Sequence, residues 1–489
     1  MKKSIVIGAG IAGIATSIRL AKKGYAVEVY ESNAYAGGKL SAFSSEGFRF
    51  DAGPSLFTMP QYVDALFELC DEDPRDHFTY HKKEIGCEYF WPDGTRLTAY
   101  SDQNRFLQEV EEQLNVAPKV VNKYLARAKE KFDLTAELFL ENSLHRWETF
   151  LTKNTIKALA RLPLFELNKS LAKVNTAQLK EPHLVQFYNR FATYNGSSPF
   201  QTPGIMTLVQ HLESEYGTFI PEGGMEQISQ SLFQLAKRQG VKFYFNQKVT
   251  EILHTKNKVT AVMVNKQKLF ADVIVSNMDI FPTYRHLLPK AKAPEKILAQ
   301  ERSSSAVIFY WGIQKQFPAL DLHNIFFSED YQAEFNAIFN EHALYDDPTI
   351  YVNITAKDVP SDAPKGCENW FVMINTPADY EQDWETDIVS LRTKVLDKLE
   401  KRLNTSIRSH IVTEEVLTPP MIETKTQSHL GALYGASSNN KMAAFWRHPN
   451  FSREFNNLYF CGGSVHPGGG IPLCLLSAKI VSDQLASLT

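Results

Sequence analysis

The first thirty residues consist of two short, largely apolar runs that flank one longer segment with helical periodicity. The runs at 4–7 and 26–30 are typical of strands that are buried on both faces of a parallel sheet. Between them, apolar residues recur at helical spacing from Ile11 to Lys23. This order predicts a βαβ unit at the beginning of the sequence.

The pattern changes to a helical one between 103 and 195. This stretch is rich in Leu, Phe, Ala, Lys and Glu, and no glycine occurs between Gly94 and Gly196. Because glycine-free sequence of this composition favours helix, we predict a largely helical insertion here.

The second half of the chain contains two groups of predicted strands. An amphipathic helix from Met225 to Lys237 precedes strands near 241–245, 249–253, 259–264 and 271–277, which predict a return of the chain to the N-terminal domain. Longer β-prone runs rich in aromatic residues follow at 303–313, 350–354 and 370–374. They predict a separate sheet whose aromatic residues either form an ordinary core or line an apolar pocket.

The composition excludes several classes of function. The 489 residues suggest two or three domains, and the content of 44% hydrophobic and 22% charged residues is that of a globular protein. A net charge of −3 gives no basic field for nucleic acid. The five scattered cysteines favour a reducing compartment and no metal site, and no apolar run is long enough to span a bilayer. We therefore expect a cytoplasmic protein without a signal peptide.

The turn after the first predicted strand carries the chemistry of a dinucleotide site. Gly8, Gly10 and Gly13 stand in G-x-G-x-x-G spacing, with Ile11 and Ala12 opening the helix. Such glycines permit a tight turn, let the backbone approach a pyrophosphate and bring helix and strand close together. The pyrophosphate then lies at the positive end of the helix.

An acidic residue ends the second predicted strand. Glu31, followed by Ser32, is placed to accept hydrogen bonds from ribose hydroxyls, and its charge argues against a 2′-phosphate. Gly37 and Gly38 then offer backbone N–H groups to the cofactor, and Lys39 offers a cation to phosphate. A plain loop hinge is the alternative interpretation of the two glycines.

A second glycine-rich turn occurs near the C-terminal end, in NLYFCGGSVHPGGGIPLCLLSAK. Gly463 lies in the turn after a predicted strand, Gly470 ends a flexible loop, and Ile471 and Pro472 open a helix. Such a turn before a helix stabilises an anion. His466 lies in this loop and is our only candidate for a catalytic residue, although a structural role fits it equally well.

Taken together, these motifs resemble those of bacterial phytoene-desaturase-type carotenoid desaturases, which contain FAD. The resemblance rests on GAGIAGI with Glu31 and GGK, FDAGPSLFTMP, SSPFQTP, FIPEGGM, ADVIVSNMD and the C-terminal box, and covers essentially the whole chain. It implies that Gly53, Pro54 and Ser55 also contact FAD, and that the backbone near Val249 flanks the adenine. CGGSV replaces the more usual Gly-Ala-Gly-Thr before His466, a departure expected to alter only the packing beneath the flavin.

The resemblance implies an α/β fold with three parts. A Rossmann-like FAD-binding domain would comprise 1–75, 221–283 and 420–489. A discontinuous α+β substrate domain would comprise 76–102, 196–220 and 284–419, and a helical, membrane-facing insertion would comprise 103–195.

The function implied is desaturation of an apolar polyene in carotenoid biosynthesis, by hydride transfer to flavin. The form GPSLFTMP is closer to desaturases of 1-hydroxylated acyclic or monocyclic (γ-carotene-type) carotenoids, acting at C-3,4, than to phytoene desaturases. A membrane quinone or oxygen would reoxidise the flavin. Alternatives are a phytoene desaturase, a carotenoid isomerase, an amine oxidase, an NAD-dependent dehydrogenase and a non-catalytic prenyl-lipid escort protein.

One part of the insertion could contact a membrane. Between 146 and 180, seven Lys or Arg residues mix with apolar and aromatic ones, and two glutamates oppose them. A basic amphipathic segment can lie in an anionic membrane surface, which would attach the protein peripherally to the cytoplasmic membrane. A helical subdomain with a solvated basic face is the alternative.

Overall fold

The computed structural model describes residues 1–151, 153–440, 442 and 446–488, with the side chains of Trp147, Lys153, Asn154 and Ile156 outside that description. The strands are β1 (Lys3–Ile7), β2 (Ala26–Tyr30), β3 (Ala42–Ser45), β4 (Phe48–Asp51), β5 (Tyr80–Lys82), β6 (Ile85–Phe90), β7 (Arg96–Tyr100), β8 (Phe219–Pro221), β9 (Lys242–Tyr244), β10 (Val249–Thr255), β11 (Lys258–Val264), β12 (Gln267–Phe270), β13 (Val273–Ser276), β14 (Ser305–Ile313), β15 (His323–Phe326), β16 (Ile350–Asn353), β17 (Glu368–Thr376), β18 (Ile411–Leu417) and β19 (Leu458–Phe460).

The helices are α1 (Ile11–Lys22), α2 (Gln61–Leu69), α3 (Gln103–Leu114), α4 (Pro118–Ala136), α5 (Lys153–Ala160), α6 (Leu171–Leu179), α7 (Pro182–Asn189), α8 (Glu226–Arg238), α9 (Ile280–Pro282), α10 (Glu295–Leu298), α11 (Tyr331–Asn336), α12 (Trp384–Leu403), α13 (Pro419–Thr426) and α14 (Ile471–Asp483). Among the described residues, no helix is both long and apolar enough to cross a bilayer.

A parallel sheet carries the predicted βαβ unit. Its strand order is β19-β13-β1-β2-β9, and every neighbouring pair is parallel. The helices α1, α2, α8 and α14 pack on one face of this dinucleotide sheet, and the β10–β12 ribbon packs on the other. The Rossmann-like fold class predicted from the sequence is confirmed in this region.

A second, larger sheet has the order β18-β14-β17-β16-β15-β6-β7. Its members come from both sides of the helical insertion, since β6 pairs in parallel with β15. One face is covered by α12 through residues such as Leu391 and Val395. The opposite face packs partly against Phe48 and Phe50 of β4 and is otherwise turned toward a large cavity.

The insertion is helical, as predicted. Lys131 of α4 is fully buried, and its Nζ donates to Glu166 Oε2 at 2.7 Å and to Thr207 Oγ1 at 2.7 Å. These bonds fix α4 against the segments that precede α6 and follow Pro203. Phe132 and Thr135 of the same helix reach the cavity. The insertion therefore forms one wall of the cavity.

Candidate functional site

One continuous cavity of about 1380 Å³ joins the dinucleotide sheet to the large sheet. At one end lie the glycine-rich turns and Glu31, and at the other lie side chains of the large sheet and of α4. All of the predicted cofactor residues except Gly13 line it, namely Gly8, Gly10, Ile11, Ala12, Glu31, Ser32, Gly37, Gly38, Lys39, Gly53, Pro54, Ser55, Val249, Gly463, Gly470, Ile471 and Pro472. The structure thus brings residues from three distant parts of the sequence around one space. Their contacts with FAD stay a prediction.

The glycines after β1 leave space that any side chain would fill. Gly8 has φ +93°, a conformation that other residues rarely adopt. A Cβ on Gly13 would lie 2.2 Å from the carbonyl oxygen of Gly8, and a Cβ on Gly10 would lie 2.7 Å from Asn277 Nδ2. Gly13 is therefore needed for close packing of α1 on β1, and Gly10 keeps the entrance to the helix open. This cradle fits a pyrophosphate at the N-terminus of α1.

Glu31 is fixed at the end of β2 by backbone donors. Its Oε2 accepts from Ala9 N–H at 2.7 Å and its Oε1 accepts from Asn33 N–H at 2.8 Å. The residue is buried. Because a carboxylate oxygen has two lone pairs, Oε2 keeps one for a ribose hydroxyl. The position of Glu31 and its remaining acceptor capacity therefore fit the nucleoside end of FAD.

Lys39 lies between the cradle and the C-terminal part of the chain. Its Nζ donates to the carbonyl oxygens of Leu433 at 3.0 Å and Ala432 at 3.4 Å, and burial lowers the pKa of its amine. A Cβ on Gly53 would lie 1.9 Å from the Lys39 carbonyl oxygen, so the two loops touch through bare backbone. The predicted role of Lys39 as a phosphate partner stays a prediction.

The C-terminal turn places a buried cation beside the start of α14. Arg447 donates to the carbonyl oxygens of Ala436 at 3.0 Å, Tyr434 at 3.2 Å and Gly463 at 3.4 Å. Burial lowers the pKa of its guanidinium to about 10, so the group stays charged at neutral pH. No carboxylate forms an ion pair with it in the described part of the chain. The guanidinium and the N-terminus of α14 together favour negative charge on a bound group.

His466 is buried in the same turn. Its Nε2 donates to the carbonyl oxygen of Asn142 at 2.8 Å, and its Nδ1 is buried without a partner among the described residues. Burial lowers the pKa of its imidazole to about 4, which keeps the ring neutral. Through Asn142 it ties the C-terminal turn to the helical insertion. A catalytic role for His466 stays a prediction.

Two residues at the cofactor end of the cavity were not identified from the sequence. Asn277 follows β13, its backbone N–H donates to the Ile7 carbonyl oxygen at 2.8 Å, and it lines the cavity beside Gly8, Gly10 and Gly462. A polar residue at the carboxyl end of a buried parallel strand is a usable signal for such a position. Arg447 gave no such signal, since a single arginine outside a motif is unremarkable.

The large sheet supplies a mostly apolar floor to the cavity. Residues on one face of adjacent strands lie side by side: Met373 pairs with Ile308 of β14 and with Tyr351 of β16, and Ile308 pairs with Leu417 of β18. All four line the cavity. Tyr351 carries the polar exception, because its hydroxyl bonds Ser55 Oγ at 2.8 Å and His323 Nδ1 at 2.7 Å. A long apolar molecule could lie along this floor.

Known proteins resemble this chain over nearly its whole length. Residues 11–486 match the family of flavin containing amine oxidoreductases. The chain is 55% identical to the 1-hydroxycarotenoid 3,4-desaturase of a Flavobacterium species. This match extends over 485 residues and covers 99% of each protein. It is 34% identical over 497 residues to a 4,4'-diaponeurosporene oxygenase of Staphylococcus aureus, covering 99% of this chain and 98% of the relative.

Solved structures show the same fold at low sequence identity. Cyclohexylamine oxidase from Brevibacterium oxydans has a TM-score of 0.63 at 15% identity, covering 99% of this chain and 98% of that one. An oxidoreductase from Methanosarcina mazei has a TM-score of 0.64 at 15% identity, covering 98% and 100%. The predicted cofactor FAD is confirmed by the family match, and the cradle, Glu31 and the C-terminal turn fit it. The chain belongs to the flavin containing amine oxidoreductase family, and the resemblance of its motifs to carotenoid desaturases is confirmed.

Proposed function

We propose that the protein is an FAD-dependent carotenoid desaturase that introduces a C=C bond into a polyene. The observation that carries this proposal is the shared cavity, in which a dinucleotide cradle opens directly onto an apolar floor. An apolar polyene offers few polar groups, so a site for it must rely on shape and on exclusion of water. The name of the 55% identical relative supports a 1-hydroxylated carotenoid desaturated at C-3,4.

The chain's own residues would position the substrate rather than react with it. Desaturation removes two hydrogens from adjacent carbons, one with its electron pair and one as a proton. When bound, FAD supplies the acceptor of the electron pair. Ile308, Met373 and Leu417 would hold the polyene by dispersion and keep water away. Arg447 and the start of α14 would favour negative charge at the cofactor end.

Pigment analysis in living cells would test this proposal. We would express the protein in cells that accumulate an acyclic 1-hydroxycarotenoid and in cells that accumulate phytoene. A desaturase of the proposed kind lengthens the conjugated system in the first strain, which shifts absorption to the red and lowers the product mass by two hydrogens. A shift only in the second strain would identify a phytoene desaturase, and a gain of oxygen would identify an oxygenase. Unchanged pigment in both strains would contradict desaturation.

A peripheral attachment to the membrane is the second part of the proposal. Phe150, Leu151, Leu159 and Leu162 are 44%, 71%, 62% and 49% exposed, which is unusual for four large apolar side chains so close in sequence. Arg161 and Lys157 are exposed among them. The predicted contributors Trp147, Lys153 and Ile156 have side chains outside the described ones, whereas Phe165 is buried. We infer that this patch contacts the lipid surface.

The patch is connected to the cavity through α4. Arg161 forms an ion pair with Glu130 of α4 at 3.3 Å, and Ala158 of α5 packs near Leu134. The same helix turns Phe132, Thr135 and Ala136 toward the cavity. Helix α4 therefore lies between this patch and the cavity. A lipid-soluble substrate that left the bilayer at the patch would reach the cavity by passing this helix. We propose the region as the route of entry.

Liposome flotation would test the attachment. Changing Leu151, Leu159 and Leu162 together to serine should abolish flotation with anionic vesicles, while bound FAD is retained. The matched control changes Val389 and Val412, which are 68% and 50% exposed on α12 and β18, to serine. Flotation of the leucine variant at the wild-type level would rule out this patch as the membrane contact.

Three other predictions also remain proposals. They are the cytoplasmic location, the quinone or oxygen acceptor and the division into three domains.

A further inference from the structure

Several polar side chains that line the cavity form no hydrogen bond within the described part of the chain, and three of them lie close together. The three are Asn195, Asn375 and the phenol of Tyr434. Each is half-buried and lines the shared cavity, where water can reach it as long as no ligand is bound. Some other polar side chains of the cavity wall are bonded within the protein: the Thr349 hydroxyl bonds Glu334, and the Tyr310 hydroxyl donates to the Ala52 carbonyl oxygen. Once a ligand displaces that water, polar groups without a partner in the protein are costly unless the ligand pairs with them.

The three residues lie at one corner of the cavity. A Cβ on Gly196, next to Asn195, would lie 2.8 Å from Tyr434 Cδ2. The Gly196 carbonyl oxygen accepts from Ser304 N–H at 2.9 Å, and Tyr434 N–H donates to Ser303 Oγ at 3.0 Å. Ser305 opens β14 and pairs with Thr376, the neighbour of Asn375. Segments 195–196, 303–305, 375–376 and 434 are thus immediate neighbours.

This corner adjoins the cofactor end of the cavity. A Cβ on Gly469 would lie 3.0 Å from Tyr434 Cα, so Tyr434 packs directly on the glycine-rich turn before α14. Asn375 stands on the floor two residues from Met373, on the same face of β17. A polar group bound here would therefore hold an apolar chain on the floor with a defined carbon beside the cofactor.

We propose that Asn195, Asn375 and Tyr434 form the subsite that binds the hydroxyl group of the polyene, an inference that rests on the proposed desaturase function. In a 1-hydroxy-3,4-desaturation the oxygen is three bonds from C3, which is roughly 4 Å, so its binding site must lie beside the reacting carbons. A hydroxyl both donates and accepts, and the two amides and the phenol offer both kinds of partner. Burial raises the pKa of Tyr434 to about 12, so its O–H stays available as a donor.

The subsite would decide which polyene is used. Without a hydroxyl on the substrate, the three polar groups stay unpaired in a site from which water has been displaced. Sites that hydrogen-bond a substrate hydroxyl discriminate strongly against analogues that lack it. Binding such an analogue leaves the polar groups of the site without partners, which weakens its binding. The floor itself does not discriminate in this way, since its aliphatic side chains contact both substrates alike.

The test compares two probes, a 1-hydroxycarotenoid and the same polyene without the hydroxyl group. The variants Asn375→Leu, Asn195→Leu and Tyr434→Phe remove the polar atoms at nearly constant volume. We expect wild-type kcat/KM to favour the hydroxylated probe, and each variant to lower that preference about tenfold or more, through loss on the hydroxylated probe alone. Met373→Leu, on the same face of β17, should leave the ratio within about twofold, since it changes no hydrogen bond.

The possible outcomes distinguish a failure of the subsite proposal from a failure of the desaturase proposal. Wild-type turnover of both probes, with the ratio unchanged in all three variants at full FAD content, would overturn the subsite and leave the desaturase proposal standing. Absence of turnover with either probe by FAD-loaded wild type would refute the desaturase function and the subsite with it. If a leucine variant fails to retain FAD, Tyr434→Phe decides, because it removes a single oxygen atom.

Discussion

Replacing Gly13 by alanine is the sharpest test of the cofactor cradle. In an ordinary helix this change would stabilise the protein by about 1 kcal/mol, because alanine is the better helix former. Here the added Cβ would lie 2.2 Å from the Gly8 carbonyl oxygen, a backbone atom. Gly8 cannot retreat easily, since its N–H donates to the Tyr30 carbonyl oxygen at 2.8 Å. Overpacking of this kind costs about 1–3 kcal/mol, which cancels or exceeds the helix gain.

The larger effect should appear in cofactor binding. To relieve the contact, α1 must move away from β1, which displaces the N–H groups that face the pyrophosphate. We expect FAD affinity to fall at least tenfold, roughly 1.4 kcal/mol, measured by fluorescence titration of the apoprotein with FAD. Gly240→Ala is the control: Gly240 has φ +81° and open space around its Cβ, so it should lose about 1–2 kcal/mol of stability while binding FAD normally. Wild-type FAD affinity together with raised stability in Gly13→Ala would refute the argument.

Three further outcomes concern buried ionisable groups. Lys131→Met should destabilise the protein by up to about 3 kcal/mol in urea unfolding, because Glu166 loses its buried partner and keeps only the ion pair with Arg127; an unchanged unfolding midpoint would contradict this. Arg447→Met should release FAD, as seen in visible absorbance after gel filtration, whereas Arg447→Lys should retain more; equal retention in both would show that the charge is irrelevant. His466 has a folded-state pKa of about 4, below its unfolded value of about 6.5. The free energy of unfolding should therefore fall as the pH drops from about 6.5 toward 4, by at most roughly 3 kcal/mol. His466→Gln should make the free energy of unfolding less dependent on pH over this range.

The dinucleotide sheet was predictable from the sequence because its information is local. Predicted strands at 4–7 and 26–30 correspond to β1 and β2, and the predicted helix from Ile11 differs from α1 by one residue at its end. The glycine spacing, the buried apolar runs and the acidic residue all act within about thirty residues. The run at 303–313 predicted β14, and the run at 370–374 predicted the middle five residues of β17, because aromatic and β-branched residues favour strands.

The pairing across the large sheet was not predictable. Strand β6 lies beside β15, more than two hundred residues later, and nothing in either segment specifies the other. Arg447 is a second example, because its partners are backbone carbonyls whose positions depend on three separate loops. Asn375 is a third, since its exposure to the cavity follows from the register of β17 against β14 and β16 rather than from any motif.

The two ends of the cavity differ in how independently they can change. Tyr434 packs on the glycine-rich turn, and its own segment accepts hydrogen bonds from Lys39 and Arg447, so any change there beyond removal of the phenol oxygen also disturbs the cofactor end. Asn375 stands on a strand whose neighbours on the cavity face are Met373 and Ala306, and it makes no contact of this kind. Substrate preference can therefore shift through β17 while the cradle stays intact. We therefore expect Asn375→Leu to retain FAD. A change of substrate preference in this variant can then be attributed to the substrate end of the cavity.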